Sequence, residues 1–223
     1  MTVGERDSEV LALQIGRPLR ATSTVLRRCH LGLPVVAEVP PILDTGEPFP
    51  TRYWLSCPLA HRRIARIEGE GGVRAAQAKI AADPELSNEI EAVHARYARE
   101  RDVLLRASTA LSGERTTGAG HRPSGGVGGS SGGVKCLHAH YADFAAGNHN
   151  PIGRDVHDMI GELRCDVPCV GIIDGELRRN RDWHEPTGGA LAGERCTGGA
   201  LAGERYTGGA LAGERYEHDD EPR

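Results

Sequence analysis

An α+β domain, in which a small antiparallel sheet packs against several helices and a disordered C-terminal tail follows, is expected from three features of this chain. Short runs rich in β-branched and aromatic residues crowd its first quarter. Helical apolar periodicity takes over from about residue 58. Past about residue 178 the chain is charged or repetitive and has no face to bury. One ordered domain is therefore expected over residues 8–177, with the tail over 178–223.

The first helix is predicted over 8–16, where Val10, Leu11, Leu13 and Ile15 are apolar and Gly16-Arg17-Pro18 stops the run. Strands are predicted at 21–29, 33–39 and 51–56, near enough to one another to pair as an antiparallel sheet. Between the second and third, Asp44 to Pro50 is turn chemistry, because proline fixes φ and glycine permits a positive φ. Cys57-Pro58 opens a helix, with proline at the first helical position where its missing N–H costs nothing. Its stripe Ala60, Ile64, Ile67 ends at Gly71-Gly72, and another short helix covers about 73–82. Asp83-Pro84 opens a longer one, whose stripe Leu86, Ile90, Val93, Tyr97 and Leu104 keeps helical spacing to about Ala107.

Residues 108–133 hold nine glycines without periodicity and predict a flexible loop. Two helices follow, over 135–146 with Val134, Leu137, Tyr141 and Phe144, and from Asn150-Pro151 to about Leu163. The apolar run 170–173, closed by Asp174-Gly175, predicts an edge strand. The tail contains three copies of a ten-residue unit at 187–196, 197–206 and 207–216, too short to stack as a solenoid. Residues 110–118 follow the same unit with two mismatches, so part of the central loop reads as an inserted repeat.

Composition narrows the function classes. Twenty-seven basic and 31 acidic residues leave a net charge of −4, which argues against a general nucleic-acid binder. The arginine clusters Arg27-Arg28 and Arg62-Arg63 with Arg66 are expected to be solvated faces. No apolar run approaches the ~18 residues of a membrane span, and Met1 to Asp7 lacks a secretory pattern. A cytoplasmic location is therefore expected, with the six cysteines reduced.

Chemistry concentrates in Val134-Lys135-Cys136-Leu137-His138-Ala139-His140. The glycines before it do not make a phosphate loop: after Gly128-x4-Gly133 the lysine comes one place late and no hydroxyl follows it. In a helix, which Ala139, Ala142, Ala145 and Ala146 favour, Cys136 and His140 share a face with Asp143 one turn on, while His138 points away. In an extended segment Cys136, His138 and His140 would all share one side. Three readings of these residues stay open. A Zn site would join Cys29, Cys57, Cys136 and His140, with His138 as the alternative ligand, since thiolate and imidazole suit a tetrahedral Zn²⁺. The looser pair Cys165-x3-Cys169 is another source of thiols. Alternatively, Cys57 at a helix N-terminus is an activated thiol, with His140 or His138 as base and Asp143 orienting it. In the third reading the cysteines are buried and unreactive, and the histidines satisfy backbone groups.

The runs Arg28-Cys29-His30-Leu31-Gly32-Leu33-Pro34-Val35-Val36, Gly46-Glu47-Pro48-Phe49-Pro50-Thr51 and Trp54-Leu55-Ser56-Cys57-Pro58, then Val134 to His140 and Asn150-Pro151-Ile152-Gly153, resemble the bacterial family catalogued as domain of unknown function 501. The similarity covers about residues 8–170 in the family's order. It implies an actinobacterial protein without an assigned activity. Family genes lie beside those for a septum-formation initiator and an exopolyphosphatase, which implies a division- or polyphosphate-related protein partner and a non-catalytic interaction module as a further alternative. The resemblance carries over to Cys29, Cys57, Cys136, His138 and His140 without giving them roles.

Overall fold

Three helices begin at a proline directly after the residue at their N-cap, so the chain writes these starts locally. In the computed structural model, which describes residues 3–112 and 123–186, they are α2 (Pro58–Gly69), α4 (Pro84–Ser112) and α6 (Pro151–Ile160). Asp83 caps α4, its Oδ1 accepting from the N–H groups of Glu85 at 2.9 Å and Leu86 at 3.1 Å. Asn150 caps α6, its Oδ1 accepting from Gly153 N–H at 2.9 Å. The remaining helices are α1 (Val3–Ile15), α3 (Gly72–Ala82) and α5 (Leu137–Ala145).

Strands β1 (Thr24–Arg28), β2 (Pro34–Glu38) and β3 (Tyr53–Leu55) form the expected antiparallel sheet, with β2 in the middle. Val36 pairs with Leu55, Ala37 with Trp54 and Glu38 with Tyr53. Alternation along β3 sends Tyr53 and Leu55 to one face and Trp54 to the other. On the first face they join Leu59 and Ile64 of α2, Ile90 and Tyr97 of α4, and the buried sides of α5 and α6 in the main core. On the second face Trp54 stacks on Phe49 beside Ala21, Val39 and Leu43.

The differences from expectation have identifiable causes. Helix α1 begins at Val3 rather than at residue 8. Helix α4 runs on to Ser112, and its buried stripe continues from Tyr97 by i+4 steps through Arg101 and Leu105 instead of Leu104. Arg101 is tolerated inside because its Nη1 donates to Gly125 O at 2.8 Å. The loop before α5 is packed where described: Val127 and Ser130 are buried, and a Cβ on Gly126 would lie 2.2 Å from His94 Nδ1. Only a residue without a side chain fits there.

A second, two-stranded sheet pairs β4 (Val170–Ile173) with β5 (Glu176–Arg179), so the ordered chain extends past residue 177. Asp174-Gly175, taken from sequence as a terminator, is a two-residue hairpin turn with φ of 54° and 81°, the pair of positive values a type I′ turn requires. The repeats and the disorder expected for the tail fall on residues 187–223, outside the described residues, as does 113–118 of the repeat-like stretch.

Arg63 is not part of a solvated face either. It is 4% exposed, and its Nη1 donates to Ile160 O at 2.7 Å and Glu162 O at 2.9 Å, which caps the C-terminal end of α6. Among the described residues no helix is long and apolar enough to cross a membrane.

Candidate functional site

The run 134–140 changes conformation in its middle. Cys136 is extended at the N-cap (φ −154°, ψ 126°) and α5 starts at Leu137. Across that boundary the helical rule does not apply, so Cys136 and His138 lie together, with Sγ 3.8 Å from Nδ1. Glu68, in the last turn of α2, joins them. Its Oε1 accepts from the Leu137 N–H at 2.6 Å, a carboxylate on a helix N-terminus, and its Oε2 lies 3.2 Å from His138 Nδ1. The three ligand atoms all lie within 4.8 Å of one another, on half-buried side chains.

Hydrogen bonding assigns the imidazole tautomer. His138 Nε2 sits 3.2 Å from the carbonyl oxygen of His61, which can only accept, so the proton is on Nε2. In the neutral ring Nδ1 then presents a lone pair to a carboxylate oxygen and a sulfur. Three arrangements satisfy such a triangle: the Cys136 thiol donating to Glu68 or to the Nδ1 lone pair, an imidazolium paired with Glu68, or a cation at its centre. Burial pushes the Cys136 thiol up, against the pull of the Ala139 N–H, and the Glu68 charge adds to the rise. His61 lies against His138 with ring centroids 4.3 Å apart and the planes tilted by 39°, and burial, then the neighbouring imidazole, pushes its pKa down. Cys136 and His138, but not Glu68, border a cavity of about 280 Å³ lined also by Thr51, Tyr53, Leu55 and Lys135.

The other predicted site residues lie elsewhere. His140 is 1% exposed inside α5, where its Nδ1–H donates to Asn150 Oδ1 at 3.2 Å. The Asn150 amide is fixed by the Gly153 N–H on its oxygen and by its own Nδ2, which donates to Asp143 Oδ2 at 2.9 Å. Burial pushes His140 down to about 4, opposed by Asn150 and assisted by His94, so its ring is neutral. Asp143 accepts from Arg96 Nη2 at 2.6 Å and from Asn148 and Asn150, not from a histidine. Burial pushes its carboxyl up, against the pull of Asn150 and Arg96. The relay of Cys57, His140 and Asp143 considered from sequence is thus not hydrogen-bonded together.

Cys29 and Cys57 instead line one small cavity with Cys165, Cys169 and Trp183. Gln14 reaches the same place, its Nε2 3.5 Å from Cys169 Sγ. The expected ligand set is accordingly divided: Cys29 and Cys57 border this thiol-lined cavity, His140 is inside α5, and Cys136 stands with His138 and Glu68. Cys57 does occupy the predicted N-cap. Burial nevertheless outweighs the N-terminal field and pushes its thiol up to about 11, against the pull of the Ala60 and Leu59 N–H groups. Alkylation of Cys57 at pH 8 in the native protein is expected to run roughly a hundredfold slower than in the unfolded chain, because two pKa units separate the thiolate fractions. Peptide mapping after timed iodoacetamide treatment checks this, and native labelling as fast as unfolded labelling contradicts it.

Glu68 was missed because a lone carboxylate far from Cys136 in sequence carries no ligand signature. The Cys136-x-His138 spacing was readable, had the extended N-cap residue been separated from the helix. The family model described as a protein of unknown function (DUF501) matches residues 25–158, a span that holds Glu68, Cys136 and His138. No curated protein and no solved structure matches the chain.

Proposed function

The chain belongs to the DUF501 family, and from there we propose that Glu68, Cys136 and His138 hold a divalent metal of the zinc type with one position open to the adjoining cavity. The observation that carries this reading is the convergence of a carboxylate oxygen, a sulfur and an imidazole lone pair within 4.8 Å of one another. Carboxylate, thiolate and imidazole together are the donor types zinc takes. The outer contacts support the same reading. His138 donates its far N–H to a backbone carbonyl, as metal-bound histidines do, and the Leu137 N–H holds the other Glu68 oxygen.

Three protein ligands, two of them (Cys136 and His138) on a cavity of about 280 Å³, match the open type of zinc centre rather than the closed structural type. An ion held there by Glu68, Cys136 and His138 would supply a Lewis acid. The chain's own residues then shape access: Tyr53 and Leu55 form an apolar wall, and Lys135 and His61 place polar groups at its edge.

Competition with a chromophoric chelator tests the site. Zn²⁺ is expected to bind the wild-type protein at one equivalent, and Cys136→Ser or His138→Ala to weaken it by at least roughly a hundredfold. Cobalt in place of zinc is expected to show a thiolate charge-transfer band that Cys136→Ser abolishes. Equal affinities for wild type and the Cys136→Ser/His138→Ala double variant, with the thermal midpoint retained, sink the reading.

A further inference from the structure

Several arginines among the described residues have carboxylate partners. Arg52 pairs with Glu38 and Glu100, Arg63 and Arg66 with Glu185, and Arg96 with Glu100 and Asp143. In a cavity of about 570 Å³ four arginines stand together: Arg17, Arg62, Arg179 and Arg181 line it with Trp54 and Trp183, and no aspartate or glutamate does. Arg17 and Arg62 lie over the two indoles, their guanidinium carbons 5.0 Å and 4.6 Å from the ring centroids of Trp54 and Trp183. Arg179 is fixed at the wall, donating to the carbonyls of Leu13 and Gln14. The Trp183 Nε1–H is buried without a partner.

Four positive charges gathered without a counter-charge, in a chain whose net charge is −4, repel one another and call for an anion. Guanidinium groups match phosphate oxygens in pairs, so four of them exceed the needs of one phosphate. The volume falls within the ~300–1,000 Å³ of small-molecule sites. We infer that this cavity binds a small molecule carrying a chain of two or more phosphates, held by Arg17, Arg62, Arg179 and Arg181. The inference goes beyond the metal site and does not rest on it, although His61 and Trp54 border both cavities. Three of the four arginines, and Trp183, lie outside the span matched by the family.

The chain's two tryptophans both line the cavity, so intrinsic indole fluorescence responds to its occupancy. The full chain is titrated with tripolyphosphate, ATP and adenosine at matched ionic strength and with EDTA present, and equilibrium dialysis of ATP measures occupancy directly. Tripolyphosphate and ATP are expected to bind saturably, adenosine not. The Arg17→Glu/Arg181→Glu variant is expected to lose at least about tenfold in affinity while keeping its thermal midpoint. Equal affinity for the two anions identifies a free phosphate chain as sufficient, and tighter ATP identifies a nucleotide; both outcomes support the inference. It is overturned by absence of saturable uptake in dialysis, by affinity unchanged in the double variant, or by adenosine binding as tightly as ATP. Binding that disappears with EDTA also overturns it, since the phosphate would then sit on the metal rather than on arginine.

Discussion

Asp143→Ala is expected to remove about 3 kcal/mol of stability, because a buried hydrogen-bonding group left unsatisfied costs about 1–3 kcal/mol. Asp143 is fully buried and takes hydrogen bonds from Arg96 Nη2 at 2.6 Å, Asn150 Nδ2 at 2.9 Å and Asn148 Nδ2 at 3.2 Å. Truncation leaves those donors unsatisfied together, with Glu100 as the remaining carboxylate on Arg96. The damage does not stop at the pair, because the Asn150 held by Asp143 is the N-cap of α6 and the acceptor for His140. Domains are stable by about 5–15 kcal/mol in total, so the variant is expected near its unfolding threshold at 37 °C. Urea unfolding followed by circular dichroism measures the difference, and a loss below about 1 kcal/mol would mean that the pair does not order the α5–α6 corner.

Alkaline solution is expected to destabilise the protein steeply, because a buried thiol and two buried phenols must ionise on unfolding. Burial pushes the Cys57 thiol up to about 11, and the Tyr97 and Tyr141 hydroxyls up to about 12. For each group the folded state keeps a proton that the unfolded chain gives up near its ordinary pKa, about 8.5 for cysteine and about 10 for tyrosine. The stability linked to these protons is therefore complete below pH 8 and declines as pH rises towards 11 and 12. A two-unit displacement corresponds to about 2.7 kcal/mol, and three such groups together approach the whole stability of a small domain. The urea midpoint is expected to fall steeply between pH 9 and pH 11. Tyr97→Phe should flatten that fall while lowering the midpoint at pH 7, since the Tyr97 hydroxyl accepts the Arg52 N–H at 2.5 Å. A midpoint that holds constant to pH 11 would contradict the assignment of these groups to the core.

The helices were legible because their signals are local: Pro58, Pro84 and Pro151 mark starts, and Leu86, Ile90, Val93 and Tyr97 recur on one face. The first sheet was legible for the same reason. What the sequence hid was tertiary. Arg63 read as part of a solvated face and Arg101 carried no signal at all, and their burial depends on carbonyl groups supplied by distant segments. The site was half visible. Cys136 and His138 were both singled out, but a helical wheel was applied one residue too early, which paired Cys136 with His140. The third member of the group, Glu68, arrives through the packing of α2 on α5, an arrangement that no spacing in the chain encodes.

The grip of Arg179 on the carbonyls of Leu13 and Gln14 joins the last strand to the first helix, 166 positions apart for the Leu13 bond. During synthesis α1 leaves the ribosome long before this clasp exists, and a nascent chain stopped ahead of β5 has nothing from that strand to hold it. Closure across such a distance slows folding, because the entropy of the intervening loop is lost before the contact forms. The segment 25–158 shared with the family is thereby bracketed by two flanking pieces that lock onto each other. Messages cut short before codon 179 should yield a product whose leading helix is an early target for proteases.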